Sequence, residues 1–118
     1  MHEAVGHYRE CAATCQETDY GDKSSVRRHN RAARTMYEIV GAAVRNDVIS
    51  AFVPLLDDPV CSKWLAHQLL EKADVDAEVE QRCLRIIEAL AASDSADAMG
   101  EQIWLRDYKK RTNTQQPG

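Results

Sequence analysis

The sequence predicts an all-α fold of about six helices, and three observations favour it. No segment alternates apolar and polar residues as a half-buried strand does, whereas apolar residues recur every three or four positions along most of the chain. Asp58-Pro59 is typical of a helix start, because an Asp carboxylate accepts free backbone N–H groups and Pro lacks the N–H that stays unpaired there. The breaks between the predicted helices span only two to five residues, which favours antiparallel helical hairpins.

The first two helices are predicted from apolar spacing and from the turn between them. The first runs from Glu3 to about Thr18 with a thinly apolar face, and residues 19–22 form a turn that contains Gly and Asp. The second and strongest helix starts at Ser24 or Ser25 and runs to about Arg45. Two adjacent apolar stripes make its inner face broad enough for two neighbours. One stripe contains Val26, Asn30, Ala33, Tyr37, Val40 and Val44, and the other contains His29, Ala32, Met36, Ile39 and Ala43.

Four further helices are predicted after Asn46-Asp47, which ends the long one. Their ranges are 48–56, 59–73, 75–92 and 96–110. Pro54 lies inside the short helix, and we expect it to kink or tighten the last turn. Asp58 and Asp74 are the predicted caps of the next two helices. We predict that all six helices form one domain over residues 1–111, followed by a flexible polar tail at 112–118.

Composition indicates a globular chain that can bury one core, with 44% hydrophobic and 29% charged residues. No apolar run approaches the length of a membrane span, and residues 1–7 lack the features of a signal peptide. We therefore expect a cytoplasmic protein without membrane contact. The four cysteines lie within helical patterns, which favours buried thiols in a reducing compartment over a disulfide scaffold. They are Cys11, Cys15, Cys61 and Cys83.

Charge is distributed unevenly along the chain, although the net charge is −4. Residues 23–34 contain five basic side chains and no acidic one, whereas residues 57–101 contain eleven acidic and four basic side chains. The overall acidity argues against non-specific nucleic-acid binding as the main task. The asymmetry is compatible with a charged partner surface.

The stretch from Asn30 to Glu71 resembles HEAT-type helical repeats, most closely between Phe52 and Leu70. The residues that carry the resemblance are Phe52-Val53-Pro54-Leu55-Leu56-Asp57-Asp58-Pro59, Leu65-Ala66 and Leu69-Leu70. The resemblance implies helical hairpins stacked as a short α-solenoid, and it implies protein binding. The chain also looks like small bacterial HEAT-like domains, some of which are similar to immunity or antitoxin proteins that block a toxin. Cys61-Ser62 stands where such repeats commonly carry Val-Arg, which favours a self-contained domain.

Arg27, Arg31 and Arg34 form the first candidate site, because their spacing places them on one side of a helix. Such a face binds an acidic protein surface or phosphates. HEAT-like DNA-repair glycosylases use concave basic faces, so a nucleic-acid-binding or repair-type module is the alternative function. The structural explanation is a solvated helix side on which Arg34 pairs with Glu38.

Trp64 and His67 form the second candidate site. If the residues around Leu65 face inward, Trp64 points partly outward together with Val60, His67 and Glu71. A partly exposed Trp is a frequent anchor of protein interfaces, because it offers a large contact area with little entropy to lose. The alternative is that a neighbouring helix covers it.

The remaining candidates are expected to be structural. His7, Cys11 and Cys15 share a helical stripe, and a metal-dependent function at these residues is the third hypothesis; because three ligands on adjacent turns rarely surround one ion, no metal or other cofactor is predicted. Trp104 and Tyr108 are expected to pack in the core, and Asn30 to be buried with a backbone partner. No phosphate-binding, metalloprotease or nucleophile-elbow motif is present, so no catalytic residue is predicted. The sequence therefore favours a non-enzymatic domain that binds another protein, a toxin being the most specific version.

Overall fold

The computed structural model describes residues 2–115, with side chains over 3–111. Across these residues the chain forms five α-helices, two 3₁₀ helices and no strand, so the predicted all-α class is confirmed. The α-helices are α1 (His2–Gln16), α2 (Lys23–Arg45), α3 (Ser62–Lys72), α4 (Ala77–Ala91) and α5 (Ala98–Gln115). The 3₁₀ helices are Ile49–Ala51 and Val53–Asp57, and together they are called the 3₁₀ segment.

The boundaries of α2 follow from local hydrogen bonds. The Asp22 carboxylate accepts the backbone N–H of Ser24 at 3.0 Å and so caps the helix one residue before its start. At the other end Asp47 adopts a left-handed φ of 56°. Its N–H bonds the Val44 carbonyl while the Val48 N–H bonds the Ala43 carbonyl, which is the Schellman pattern that ends helices. Asn46-Asp47 therefore ends α2 as predicted.

The predicted short α-helix at 48–56 is wrong, because this stretch is the 3₁₀ segment. Pro54 has no N–H to donate, and its ring would collide with the carbonyl four residues earlier in an α-helix. The chain instead breaks at Phe52, and Pro54 stands near the start of the second 3₁₀ helix, where that loss is tolerated. Phe52, Leu55 and Leu56 are nevertheless buried, as their apolar character predicts.

Two predicted helix starts and one end shift. α3 begins at Ser62 rather than Pro59, although the Asp58 carboxylate accepts the Val60 N–H at 2.9 Å and so still ties the preceding turn. α4 is capped by Asp76, which accepts the Val79 N–H at 2.9 Å, and not by Asp74. α5 continues to Gln115, so the predicted tail at 112–118 falls partly in this helix and partly outside the described residues.

The helices lie in two rows, which agrees with a shortest dimension of 21 Å, about two helix diameters of ~10 Å. α2, α3 and α5 lie side by side in one row, and α1, the 3₁₀ segment and α4 lie in the other. Contacts of α3 with α2 and with α5 advance in the same chain direction, from His29–Trp64 to Tyr37–Glu71 and from His67–Glu101 to Glu71–Trp104. Neighbours within this row are therefore parallel, whereas α1/α2, α3/α4 and α4/α5 are antiparallel hairpins.

The core lies between the rows, and the side of α2 that it buries is narrower than the inner face predicted from the two stripes. Ala32, Met36, Val40 and Ala43 are buried, so the core side is centred on the second predicted stripe. Asn30 is exposed and is not the buried Asn that the first stripe suggested, and Tyr37 and Val44 of that stripe are exposed as well. Val40 is the buried member of the first stripe, whereas Tyr37 of that stripe contacts Glu71 of α3 at 3.5 Å.

All four cysteines are buried free thiols, as predicted. Cys61 and Cys83 lie deepest, and burial raises the pKa of each to about 11. Within the described part of the chain, no helix combines the length and apolar character that a membrane crossing requires.

Candidate binding face

The outer surface of the α2, α3 and α5 row combines charged and aromatic side chains. We call it the α2–α3–α5 face. Its defining residues are Arg27, Arg34 and Tyr37 of α2, Trp64, His67 and Glu71 of α3, and Glu101, Trp104 and Tyr108 of α5. All five sequence-predicted site residues lie on α2 or α3, the two neighbouring helices of this row.

The arginines form the basic edge of this face. Arg27, Arg31 and Arg34 are all exposed, and none of them makes an ion pair with a described residue, so the predicted Arg34–Glu38 pair is not formed. Arg34 follows Arg27 by seven residues and precedes Tyr37 by three, so the three side chains form one stripe on the same side of α2. The Tyr37 hydroxyl is directed toward Glu71 of α3. Arg31 lies on the side of that stripe farther from α3. The guanidinium groups are therefore available to an anionic group of a partner.

Trp64 is half-buried, between the two states that the sequence left open. Its ring packs edge-on against His29 at a centroid distance of 5.8 Å, and the Lys63 ammonium lies 6.0 Å from the indole centroid. The indole Nε1 is buried and has no acceptor among the described residues. A donor in that state is unfavourable by about 1–3 kcal/mol, so hydrogen bonding does not explain why this position carries Trp.

His67 is held in place by α5. Its Nε2 lies 2.7 Å from Oε2 of Glu101, and its ring meets the Trp104 ring edge-on at 4.5 Å. Its side chain is 18% exposed, so it supports the face and offers only a small area to a partner.

Trp104 and Tyr108 are half-buried on the face rather than in the core that the sequence predicted. Their rings stack at 5.1 Å with an interplanar angle of 8°. The Trp104 Nε1 donates to Glu71 at 3.0 Å and the Tyr108 hydroxyl donates to Glu80 at 2.8 Å. Burial and this contact with Glu80 raise the pKa of Tyr108 to about 12, so the phenol keeps its proton. The carboxylates satisfy the polar ends of both rings, which is why the pair does not need to enter the core.

A cleft of about 250 Å³ opens at one end of the face, where the C-terminus of α1 and the N-termini of α2, α3 and α5 meet. Four rings line it, those of Tyr20, His29, Trp64 and His67. Tyr20, His29 and Trp64 form a continuous arc, since the first two ring centroids are 5.9 Å apart and the last two 5.8 Å. The charged side chains of the lining are Lys63, Asp97 and Glu101.

Hydrogen bonds fix the orientation of His29 in this arc. The Thr18 hydroxyl donates to the Cys15 carbonyl at 2.8 Å and lies 2.8 Å from Nδ1 of His29. The Thr18 hydroxyl therefore links the end of α1 to the His29 ring and holds that ring beside Trp64.

Sequence reasoning missed five residues of the cleft: Tyr20, His29, Lys63, Asp97 and Glu101. Tyr20 has the sequence context of a turn and His29 that of an apolar stripe, while the other three have the context of polar positions near the start of a helix. They are separated by up to 81 positions in the chain, 101 minus 20, so no local pattern connects them. Only the parallel placement of α2, α3 and α5 brings them together.

The alternative metal site is not assembled. His7 is exposed, whereas Cys11 and Cys15 are buried in the core. Among residues 3–111 no group of three or more His, Cys, Asp or Glu side chains has the geometry of a metal site.

Comparison of the chain with protein-family models, with curated proteins and with solved structures found no match in any of the three.

Proposed function

We propose that this chain is a non-enzymatic, cytoplasmic, HEAT-like domain that binds one partner protein through the α2–α3–α5 face. The observation that carries the proposal is the half-buried Trp64, which has the basic edge of the arginines on one side and the carboxylates of Asp97 and Glu101 on the other. Aromatic and Arg side chains are the residue types that dominate the energetics of protein interfaces. A toxin whose activity the domain blocks is the most specific form of the partner.

The arrangement of the helices supports the HEAT-like part of the proposal. Three hairpin-like pairs follow one another, α1 with α2, the 3₁₀ segment with α3, and α4 with α5. The second members of the pairs lie parallel in one row, as successive repeats of a helical solenoid do. In this scheme the α2–α3–α5 face is the surface that the stack presents along its length.

Affinity purification of the tagged protein from its source organism tests the proposal, with mass spectrometry and a nucleic-acid assay of the same eluate. We expect one stoichiometric protein that is lost with Trp64→Ala or Arg34→Glu and retained with Arg85→Glu. Arg85 is the matched control, because it is an exposed arginine on α4 in the other row. A partner retained equally by all three variants would contradict the assigned face, and a growth assay with the isolated partner tests the toxin identity.

Nucleic-acid binding is the second candidate function, and the unpaired Arg27, Arg31 and Arg34 favour it. Each phosphate contact releases a counterion, so the affinity would fall steeply with salt, with a log–log slope of about −0.9 per contact on duplex DNA. The carboxylates of Glu71, Asp97 and Glu101 lie on or beside the same face and oppose a polyanion. A gel shift at low salt with the wild type and Arg31→Glu decides: no shift excludes this function.

A further inference from the structure

We propose that the cleft beside Trp64 binds a cationic side chain of the partner, a guanidinium or ammonium group, between the aromatic arc and the carboxylates of Asp97 and Glu101. This inference rests on the proposed function and names the chemistry that the α2–α3–α5 face recognises. The partner surface is then two-signed, with an acidic group opposite the Arg27 and Arg34 edge and a basic group in the cleft.

The rings of the cleft supply the first part of the argument. A cation within about 6 Å of an aromatic centroid is attracted by the negative face of the ring, and Trp is the strongest such partner. One cation of the chain already lies at this distance, since the Lys63 ammonium is 6.0 Å from the Trp64 centroid. Tyr20 is 74% exposed at the entrance and so is accessible to an incoming group.

The charges of the cleft supply the second part. Two carboxylates and one ammonium line it, so its formal charge is −1 with both histidines neutral. Glu101 is held by His67 at 2.7 Å and is therefore a preorganised anion, whereas Asp97 is exposed and makes no ion pair with a described residue. An anionic ligand finds only Lys63 in this lining, so the chemistry favours a cation.

The size of the cleft fits the group. About 250 Å³ accommodates the end of an Arg or Lys side chain and not a folded element, and planar guanidinium stacks on aromatic faces and pairs with carboxylates. Lys63 occupies part of this space from within the chain, so it competes with the incoming cation. Removing the Lys63 ammonium is therefore expected to strengthen binding.

A titration of the ¹⁵N-labelled full chain with N-acetyl-L-arginine methylamide tests the proposal without the natural partner. The neutral glutamine analogue and an acetylated glutamate serve as probes of the other two charge classes. The indole N–H signal of Trp64 is assigned by comparison with Trp104→Phe. We expect saturable shifts in the millimolar range at Trp64 and Tyr20 with the arginine probe only.

Three variants give the proposal its sharpest readout. Asp97→Asn is expected to lower the affinity for the arginine probe about three- to fivefold, the range of a partly exposed ion pair. Asp94 is an exposed acid of the same loop outside the cleft lining, so Asp94→Asn is expected to leave the affinity unchanged. Lys63→Met is expected to raise the affinity for the arginine probe about threefold, a gain that loss of structure does not produce. Trp64→Phe keeps a ring but weakens binding, and its circular dichroism spectrum confirms folding.

Equal shifts with all three probes, or an affinity that ignores both Asp97→Asn and Lys63→Met, overturn the cation site. A partner protein that depends on Trp64 but not on Asp97 also overturns it while leaving the proposed function standing. Selective arginine binding with no protein partner in the purification has the opposite meaning: the cleft chemistry holds and the proposed function fails.

Discussion

The buried hydrogen bond between Tyr8 and Gln68 is the contact whose loss should most clearly alter stability. The Tyr8 hydroxyl donates to Oε1 of Gln68 at 2.6 Å, across 60 residues and between the two rows of helices. Tyr8 is 0% exposed and Gln68 1% exposed, so water cannot replace either partner. Burial raises the pKa of Tyr8 well above its usual range, which keeps the donated proton in place at all ordinary pH values.

Tyr8→Phe removes the hydroxyl and leaves a buried acceptor without a donor. The expected loss is about 1–3 kcal/mol in the free energy of unfolding, the desolvation penalty of one orphaned polar group. Gln68 has no compensating contact, because its Nε2 is also buried and unpaired among the described residues. With a urea dependence of about 2 kcal/mol per molar, a 2 kcal/mol loss lowers the unfolding midpoint by about 1 M.

The double variant Tyr8→Phe/Gln68→Met separates this explanation from a simple loss of packing. Replacing both partners by apolar groups of similar shape is nearly neutral, and here it also removes the unpaired Nε2. We therefore expect the double variant to be more stable than Tyr8→Phe by about 1–3 kcal/mol. Urea unfolding followed by far-ultraviolet circular dichroism measures all three proteins.

Tyr37→Phe is the matched control, because the Tyr37 hydroxyl is 3.5 Å from Glu71 on an exposed part of the face. Tyr37→Phe is expected to change the free energy of unfolding by no more than about 0.5 kcal/mol. The reasoning is refuted if Tyr8→Phe is as mild as this control, or if the double variant is less stable than Tyr8→Phe alone.

Three further predictions concern caps, turns and alkaline pH. Asp76→Ala is expected to lower the free energy of unfolding by about 1 kcal/mol because it removes the α4 cap, while Asp74→Ala stays within about 0.5 kcal/mol; equal effects in urea unfolding would contradict the cap assignment. Asp58→Ala is expected to lower the free energy of unfolding more than Asp57→Ala does. Asp58 accepts the Val60 N–H and pairs with Arg9 at 3.5 Å, whereas Asp57 makes an exposed pair with Arg82. Equal losses in the same assay would refute this. Stability should fall as the pH rises from 9 toward 11, because the unfolded chain releases the Cys83 thiol proton near pH 9 while the native state retains it to about 11. A pH series of urea unfolding should show a flatter decline for Cys83→Ala, and an unchanged slope would remove Cys83 from the explanation.

Helical spacing predicted the fold class because each helix of this chain carries its own signal. The stripes of α2 and α4 and the inward residues of α3 could be recognised within a few turns of sequence, and the Schellman end of α2 is encoded at Asn46-Asp47. Which of two adjacent stripes faces the core could not be decided locally. Asn30 and Ala32 differ by only two positions, and only the packing of neighbouring helices, chiefly α1, against one side of α2 makes the first exposed and the second buried.

The candidate face was predicted only in part for a related reason. Trp64 and the arginines are recognisable by residue type, since a Trp beside charged residues is informative wherever it occurs. Asp97 and Glu101 acquire meaning only from the ring that α3 places opposite them, more than 30 residues earlier in the chain. Such convergence depends on the directions of helices, which apolar spacing does not encode.

The 3₁₀ segment links the failed prediction at 48–56 with the geometry of the cleft. His29 lies beside Trp64, so the chain must return along α2 from Arg45, over 16 residues or roughly 24 Å of helix at 1.5 Å per residue, before α3 can start. One α-helix over the nine residues 48–56 would advance only about 13.5 Å. Pro54 disfavours that helix, and the chain instead returns through the 3₁₀ helices Ile49–Ala51 and Val53–Asp57 and the turn at 58–61. α3 therefore starts beside the beginning of α2 and runs parallel to it, which places the indole of Trp64 against His29 at the cleft.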